Sequence, residues 1–196
     1  MTRKPETLRP WETLTTTPTY GCRVFSVNEH RRRSPRTGET HAFWVLDVPD
    51  WVNIIPLTAD RRVVMIHQYR HGIDEFTLEV PGGMVDETDA SPLEAARREM
   101  REETGYDGDD VVPIGVIHPN PAIQPNRCHS FLARDVKLAA AVSFDSTEEC
   151  EVVLIPLDEI PELIRRGVIS HALVVVAFHH LLLAGNGDRG SGVARL

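Results

Sequence analysis

The sequence predicts an α/β protein: a sheet with a helix on each face, preceded by an antiparallel strand pair. Three observations carry that expectation. Short apolar runs separated by polar turns recur between Cys22 and Pro156, the pattern of strands in a sheet. One acidic stretch, Pro92 to Thr104, carries both a helix start and a helix stop. A last stretch, Ser170 to Ala184, is apolar on most sides, as a largely buried helix is.

In chain order, Met1 to Thr19 is rich in Thr, Pro and charge and reads as a loose arm, with Trp11 and Tyr20 as docking aromatics. Cys22 to Glu29 alternates as a strand, Arg31-Arg32-Arg33-Ser-Pro-Arg-Thr-Gly reads as a hairpin loop, and His41 to Val48 is the returning strand. The triple arginine fits a solvated turn better than a phosphate grip. Asp50 to Thr58 and Arg62 to Tyr69 form a hairpin across Ala59-Asp60-Arg61, and Phe76 to Val80 is a short strand that delivers a Pro-Gly-Gly loop. Val111 to His118 and Cys128 to Ala133 are strands bracketing the Pro-rich loop Pro119 to Pro125. The acidic loop Asp145 to Glu149 leads a strand from Glu151 to Pro156, and Leu157 to Arg166 is a helix ahead of the last one. The Gly-rich Asn186 to Leu196 has almost nothing to bury and is expected to be disordered.

The Pro92–Thr104 helix is the most informative element. Ser91 is an N-cap, Pro92 occupies the first helical position, Glu94 completes a capping box and Gly105 supplies a left-handed stop. Leu93, Ala96 and Met100 make an apolar stripe, with Glu99, Glu102 and Glu103 on the adjoining face. Like charges at helical spacing cost about 0.2–0.5 kcal/mol per pair, and carboxylates near a helix C-terminus oppose the macrodipole. A divalent cation removes that penalty. Hard cations take oxygen ligands, one or two of them carboxylates, and Glu99 with Glu103 fits the role. The alternative, a solvated Glu/Arg face, leaves the Gly82-Gly83 loop unexplained.

The 196 residues suffice for one domain with a full core and a small extension, and the net charge of −8 gives no basic footprint for a nucleic-acid backbone. A free nucleotide stays open as a partner, because a metal supplies the missing positive charge. Cys22, Cys128 and Cys150 are odd in number and widely spaced, which speaks against a disulfide framework and for a reducing cytoplasm. No secretory signal is visible, and the longest apolar run is too short to span a bilayer, so no membrane partner is expected. The expected organisation is an arm and strand pair over 1–50, a main α/β domain over 51–184 and a disordered tail over 185–196.

The stretch from Pro81 to Tyr106 resembles the signature of the Nudix hydrolases: Gly83, then Arg98-Glu99-Met100, Glu102-Glu103 and Gly105-Tyr106. It departs at one place. Asp89 stands where the family has its first Glu, and the spacing from it to Arg98 is one residue longer; the resemblance implies that Asp89 braces Arg98. It further implies an α/β/α sandwich with a mixed sheet over about Val52 to Leu183. The preceding strand pair is similar to that of the ADP-ribose and nucleotide-sugar pyrophosphatase branch, where it helps to build a homodimer. Gln68-Tyr69-Arg70 followed by Leu78-Glu79-Val80-Pro81-Gly82-Gly83, and Pro121 about fifteen residues past the box, resemble the same branch.

What the resemblance implies is metal-dependent hydrolysis of a nucleoside diphosphate derivative, with Mg²⁺, or Mn²⁺ in its place, as cofactor. The metal ligands would be Glu99, Glu103 and the Gly82 carbonyl, with Glu102 supporting. The general base would be Glu149 or Glu148 in the late acidic loop, or Glu102 on the helix. Arg70, Glu79, Trp44 and Pro121 would contact substrate. Arg70 is equally readable as a surface ion pair, Trp44 and Trp51 as core aromatics and Pro121 as a turn residue. His118 and His129 flank the Pro loop and read first as surface residues, while His171, His179 and His180 lie near the last helix, where His179 and His180 cannot share a face, so no metal site is expected there. The rivals are a Nudix enzyme for another diphosphate, such as a dinucleoside polyphosphate or a coenzyme, and a non-catalytic nucleotide-binding module.

Overall fold

Side chains along a strand alternate between faces, and the central strands use that alternation to build two cores. In a computed structural model of the chain, which describes residues 7–141 and 149–187, Val52, Ile54, Val64, Phe131 and Ala133 pack against one helix, while Ile55, Val63, Met65 and Leu132 pack against another. The first helix is α1 (Pro92–Thr104), which contributes Ala95, Ala96 and Met100. The second is α3 (Ala172–Gly187), which contributes Val174, Ala177, Phe178 and Leu181. The result is an α/β/α sandwich.

The sheet between them is built from β4 (Trp51–Leu57), β5 (Arg62–Arg70), β6 (Glu75–Glu79), β7 (Gly82–Met84), β9 (Asp110–Ile117), β10 (Cys128–Arg134) and β12 (Cys150–Pro156). Its order is β12-β5-β4-β10-β9, with β6 paired to β5 and β7 to β4. The β4–β10 pair is parallel and the other pairs are antiparallel, so the sheet is mixed. A two-stranded ladder of β8 (Tyr106–Asp107) and β11 (Lys137–Leu138) stands apart. Leu157–Glu159 is a 3-10 turn that runs into the short helix α2 (Ile160–Arg165), where one continuous helix was expected. Among the described residues no helix is long and apolar enough to cross a membrane.

The chain divides into two units, Met1–Pro49 with Asn120–Asn126, and Asp50–Pro119 with Arg127–Leu196. The first holds a three-stranded antiparallel sheet of β1 (Glu12–Gly21), β2 (Ser26–Arg33) and β3 (Thr40–Asp47). This corrects two expectations. The loose arm gives way from Glu12 onward to a strand, and Arg31, Arg32 and Arg33 extend β2 rather than forming its loop. β1 pairs with β2 from Glu12↔Arg33 to Gly21↔Ser26, and its Thr-rich run suits an exposed strand. The Pro-rich loop belongs to this unit: the Leu46 N–H donates to the Ile123 carbonyl at 2.8 Å, and Asn126 Nδ2 to that of Pro49 at 3.0 Å. Asp145 to Glu148 and most of the 185–196 tail lie outside the described residues.

Candidate active site

β7 places two glycines where a side chain would collide, with backbone at Gly82 and with a side-chain end at Gly83. An added Cβ at Gly82 would lie 2.2 Å from the Val52 carbonyl oxygen, and one at Gly83 would lie 2.5 Å from Glu99 Oε1. The first closeness follows from the β4–β7 ladder, which pairs Asn53 with Gly82 and Val52 with Gly83. The second brings the Glu99 carboxylate against the loop. The Gly82 N–H also donates to Glu103 Oε2 at 2.9 Å. Glu99 and Glu103 are one helical turn apart and share the sheet-facing side of α1 with Ala95, Ala96 and Met100, so both carboxylates are buried. Two neighbouring anions in a low-dielectric setting are costly unless a positive charge joins them.

Arg98 organises the outer side of the same helix. It donates to Asp89 through Nε (3.1 Å) and Nη2 (3.0 Å), to the Met84 carbonyl at 3.2 Å, to Glu99 Oε1 at 2.9 Å and to Glu102 Oε2 at 3.0 Å. The bonds from Arg98 hold the Asp89 carboxyl below its ordinary range, and Asp89 in turn leads the interactions that raise the guanidinium further above its own. Glu102 is the outward member of the three, its side chain 46% exposed and tied to Arg98.

Among the described residues no three His, Cys, Asp or Glu side chains converge as a ready metal cage. A hard cation that keeps several waters and shares its coordination with substrate phosphates needs only one or two carboxylates. Glu99 and Glu103 offer that number, with oxygen donors only and backbone alongside. The donor chemistry fits a divalent metal.

The strand pair before the loop makes a cleft. A cavity of about 960 Å³ is lined by Gln68, Arg70, Thr77, Glu79, Glu149 and His171, among others, and a smaller hollow of about 270 Å³ is lined by Trp51, Asn53, Gly82 and Gly83. Arg70 and His171 border both. Glu79, only 2% exposed, receives Arg70 Nε and Nη2 at 2.7 Å each, His171 Nδ1 at 2.6 Å and the Thr77 hydroxyl. Burial opposes its ionisation, yet the bonds from Arg70, then His171, outweigh burial and hold its carboxyl far below the usual range. Arg70 is therefore an ion pair whose outer edge still faces the cleft.

The other expected residues are distributed as follows. Glu149 is exposed on the cavity wall next to β12, and Glu148 lies outside the described residues. Trp44, 56% exposed on β3, and Pro121 belong to the first unit, where Pro121 joins Trp11, Arg32 and Phe43 around a cavity of about 370 Å³. His129 Nε2 pairs with Asp50 Oδ2 at 3.0 Å. The sequence singled out neither Thr77 nor His171 as a substrate-site residue. Thr77 was legible as the residue two before Glu79 on one strand face; His171 reaches Glu79 across 92 positions, and no local pattern signals that.

Comparison with known proteins matches residues 49–177 to the NUDIX domain. The chain is 25% identical over 173 residues to a methanol dehydrogenase activator from Bacillus methanolicus, covering 88% of this chain and 92% of that one. It is 26% identical over 136 residues to an ADP-ribose pyrophosphatase from Bacillus subtilis (69% and 73% covered) and 31% identical over 133 residues to a GDP-mannose pyrophosphatase from Cronobacter sakazakii (64% and 69%). The crystal structure of an ADP compounds hydrolase superposes with a TM-score of 0.83 at 21% identity, covering 95% of this chain and 100% of that one, which is a likeness of fold. Because the matched domain takes in the whole mixed sheet together with the Gly82–Gly83 loop and α1, the chain belongs to the Nudix family.

Proposed function

We propose that this Nudix protein is a metal-dependent pyrophosphatase that splits the diphosphate of ADP-ribose or a nucleotide sugar into a nucleoside monophosphate and a phosphorylated sugar. The observation that carries the reading is the burial of Glu99 and Glu103 beside the glycine loop, whose Gly82 and Gly83 line a hollow that Arg70 also borders. The names of the Bacillus subtilis and Cronobacter sakazakii relatives support the substrate class.

An anionic diphosphate repels its nucleophile, and charge builds on the leaving oxygen. A bound divalent metal, Mg²⁺ or Mn²⁺, lowers the pKa of the attacking water and neutralises phosphoryl oxygens. Glu99, Glu103 and the Gly82 carbonyl would hold it, with Glu102 supporting. Arg70 offers its remaining guanidinium edge to a phosphate. Glu149 or Glu148 takes the proton of the attacking water, with Glu102 as the alternative base. Glu79 serves substrate binding by aiming Arg70, and Trp44 and Pro121 complete the proposed substrate contacts.

We also propose a homodimer built through the N-terminal sheet, whose first strand is exposed along its length, in a reducing cytoplasm. Light scattering at a range of concentrations tests the dimer. A second reading, a nucleotide-binding module that regulates a partner, draws on the name of the Bacillus methanolicus relative; the presence of Glu99, Glu102 and Glu103 favours the hydrolase. A panel of ADP-ribose, nucleotide sugars, dinucleoside polyphosphates and coenzymes, each with Mg²⁺ and with products resolved, tests the assignment. Release of a nucleoside monophosphate from ADP-ribose or a nucleotide sugar is the expected result, and no turnover of any member overturns it.

A further inference from the structure

Glu79 accepts four hydrogen bonds, from Arg70 Nε and Nη2, Thr77 and His171. A carboxylate has about four lone-pair positions. They are all taken, so Glu79 has none left for a ligand and acts by aiming its partners. Being ionised, it is an acceptor only, and the 2.6 Å contact therefore fixes a proton on His171 Nδ1. The free ends of the assembly are Arg70 Nη1 and His171 Nε2, neither of which enters a hydrogen bond among the described residues. Both side chains remain accessible, 39% and 35% exposed, and both border the large cavity and the hollow at the glycine loop. His171 is fixed from behind as well, since its carbonyl accepts the N–H groups of Val174 and Val175 in the first turn of α3.

We propose that Arg70 and His171, braced by Glu79, form a two-pronged anion subsite that takes the phosphate of the diphosphate that water does not attack. The inference rests on the pyrophosphatase reading and extends it to a residue from the far end of the chain. Both ring nitrogens donate only in the charged imidazole, and in that form Nε2 meets an anion oxygen while Nδ1 stays on Glu79. The other titratable groups lining the cavity are Tyr69, Arg70 and His71 from β5 and its turn, Glu79 from β6, and Glu149 ahead of β12.

The test is calorimetry of the full-length protein with α,β-methylene-ADP, an uncleavable nucleoside diphosphate, and with AMP, both without metal. The wild type should bind the diphosphate more tightly than AMP. His171→Asn keeps a donor to Glu79, so the fold and the pose of Arg70 survive; it should bind the diphosphate about tenfold more weakly and AMP as the wild type does. No wild-type binding of the diphosphate, a His171→Asn variant equal to wild type toward it, or a loss that is the same for AMP overturns the subsite. Turnover is read separately. Hydrolysis of ADP-ribose by a wild type whose diphosphate affinity His171→Asn leaves unchanged overturns the subsite and leaves the pyrophosphatase reading intact; the selective loss with no hydrolysis of any nucleoside diphosphate does the reverse.

Discussion

Arg98 holds Asp89 with two arms of its guanidinium, Nε to Oδ1 at 3.1 Å and Nη2 to Oδ2 at 3.0 Å. The Nudix pattern has a glutamate there and one residue fewer between it and the arginine. A side chain one methylene shorter is thus offset by a loop one residue longer. Asp86 supports the shorter acid: its N–H donates to Asp89 Oδ2 at 2.9 Å, and its carbonyl accepts the Asp89 N–H at 3.0 Å. Because Arg98 also donates to Met84 and Glu99, this pair ties the glycine loop to the acidic helix.

Asp89→Ala should therefore act on both stability and metal binding. At this chain length a loss of about 1 kcal/mol lowers Tm by about 2–4 °C, and a shift of at least that size is expected by calorimetry. Released from Asp89, Arg98 competes more strongly for Glu99, so the apparent metal affinity should fall as well. Arg98→Lys, which keeps the charge but loses the fork, should reproduce both effects.

The two glycines should separate fold from function. Gly82→Ala drives a methyl into the Val52 backbone carbonyl, and overpacking of this kind costs about 1–3 kcal/mol or more; its thermal transition should drop sharply. Gly83→Ala meets the end of the Glu99 side chain, which can move. That variant should melt near the wild type while requiring more metal for half-maximal turnover.

The Glu79 assembly predicts a pH limb of stability. Its carboxyl is lowered in the folded state by Arg70 and His171, so the stabilisation is fully present above the unfolded-state value of about 4.3 and is lost as pH falls toward the folded one. Tm of the wild type should decline on acidification below about pH 4. Glu79→Gln, which lacks the titrating group, should start lower at neutral pH and flatten that limb.

The elements that bury a face were legible in the sequence. Helix α1 falls on its expected bounds because Ser91, Pro92 and Gly105 mark its ends chemically, and Gly105 does adopt the left-handed conformation, with φ of 72°. The hairpin across Ala59-Asp60-Arg61 was readable for the same reason, as a polar break between apolar runs. β1 was not readable: every residue in it is exposed, so no apolar alternation is imprinted on Glu12–Gly21. β7 escaped because glycine has weak strand preference, and its pairing is set by β4. Of the site, the carboxylates were visible through local spacing and their brace through the family resemblance, whereas the His171–Glu79 contact exists only through the tertiary fold.

The central claim is that buried carboxylates of α1 hold the metal that drives hydrolysis, and Glu103→Gln tests it most directly. The change removes one charge and keeps the shape; Glu103 is 2% exposed and its carboxylate receives the Gly82 N–H, a contact that the Gln carbonyl can retain. With ADP-ribose or a nucleotide sugar at saturating Mg²⁺, kcat should fall by at least about a hundredfold, the scale of losing one preorganised electrostatic contact, at nearly unchanged Tm, and chelator should abolish wild-type turnover. A kcat within a few-fold of wild type in that variant, or wild-type turnover undiminished by chelator, would contradict the account.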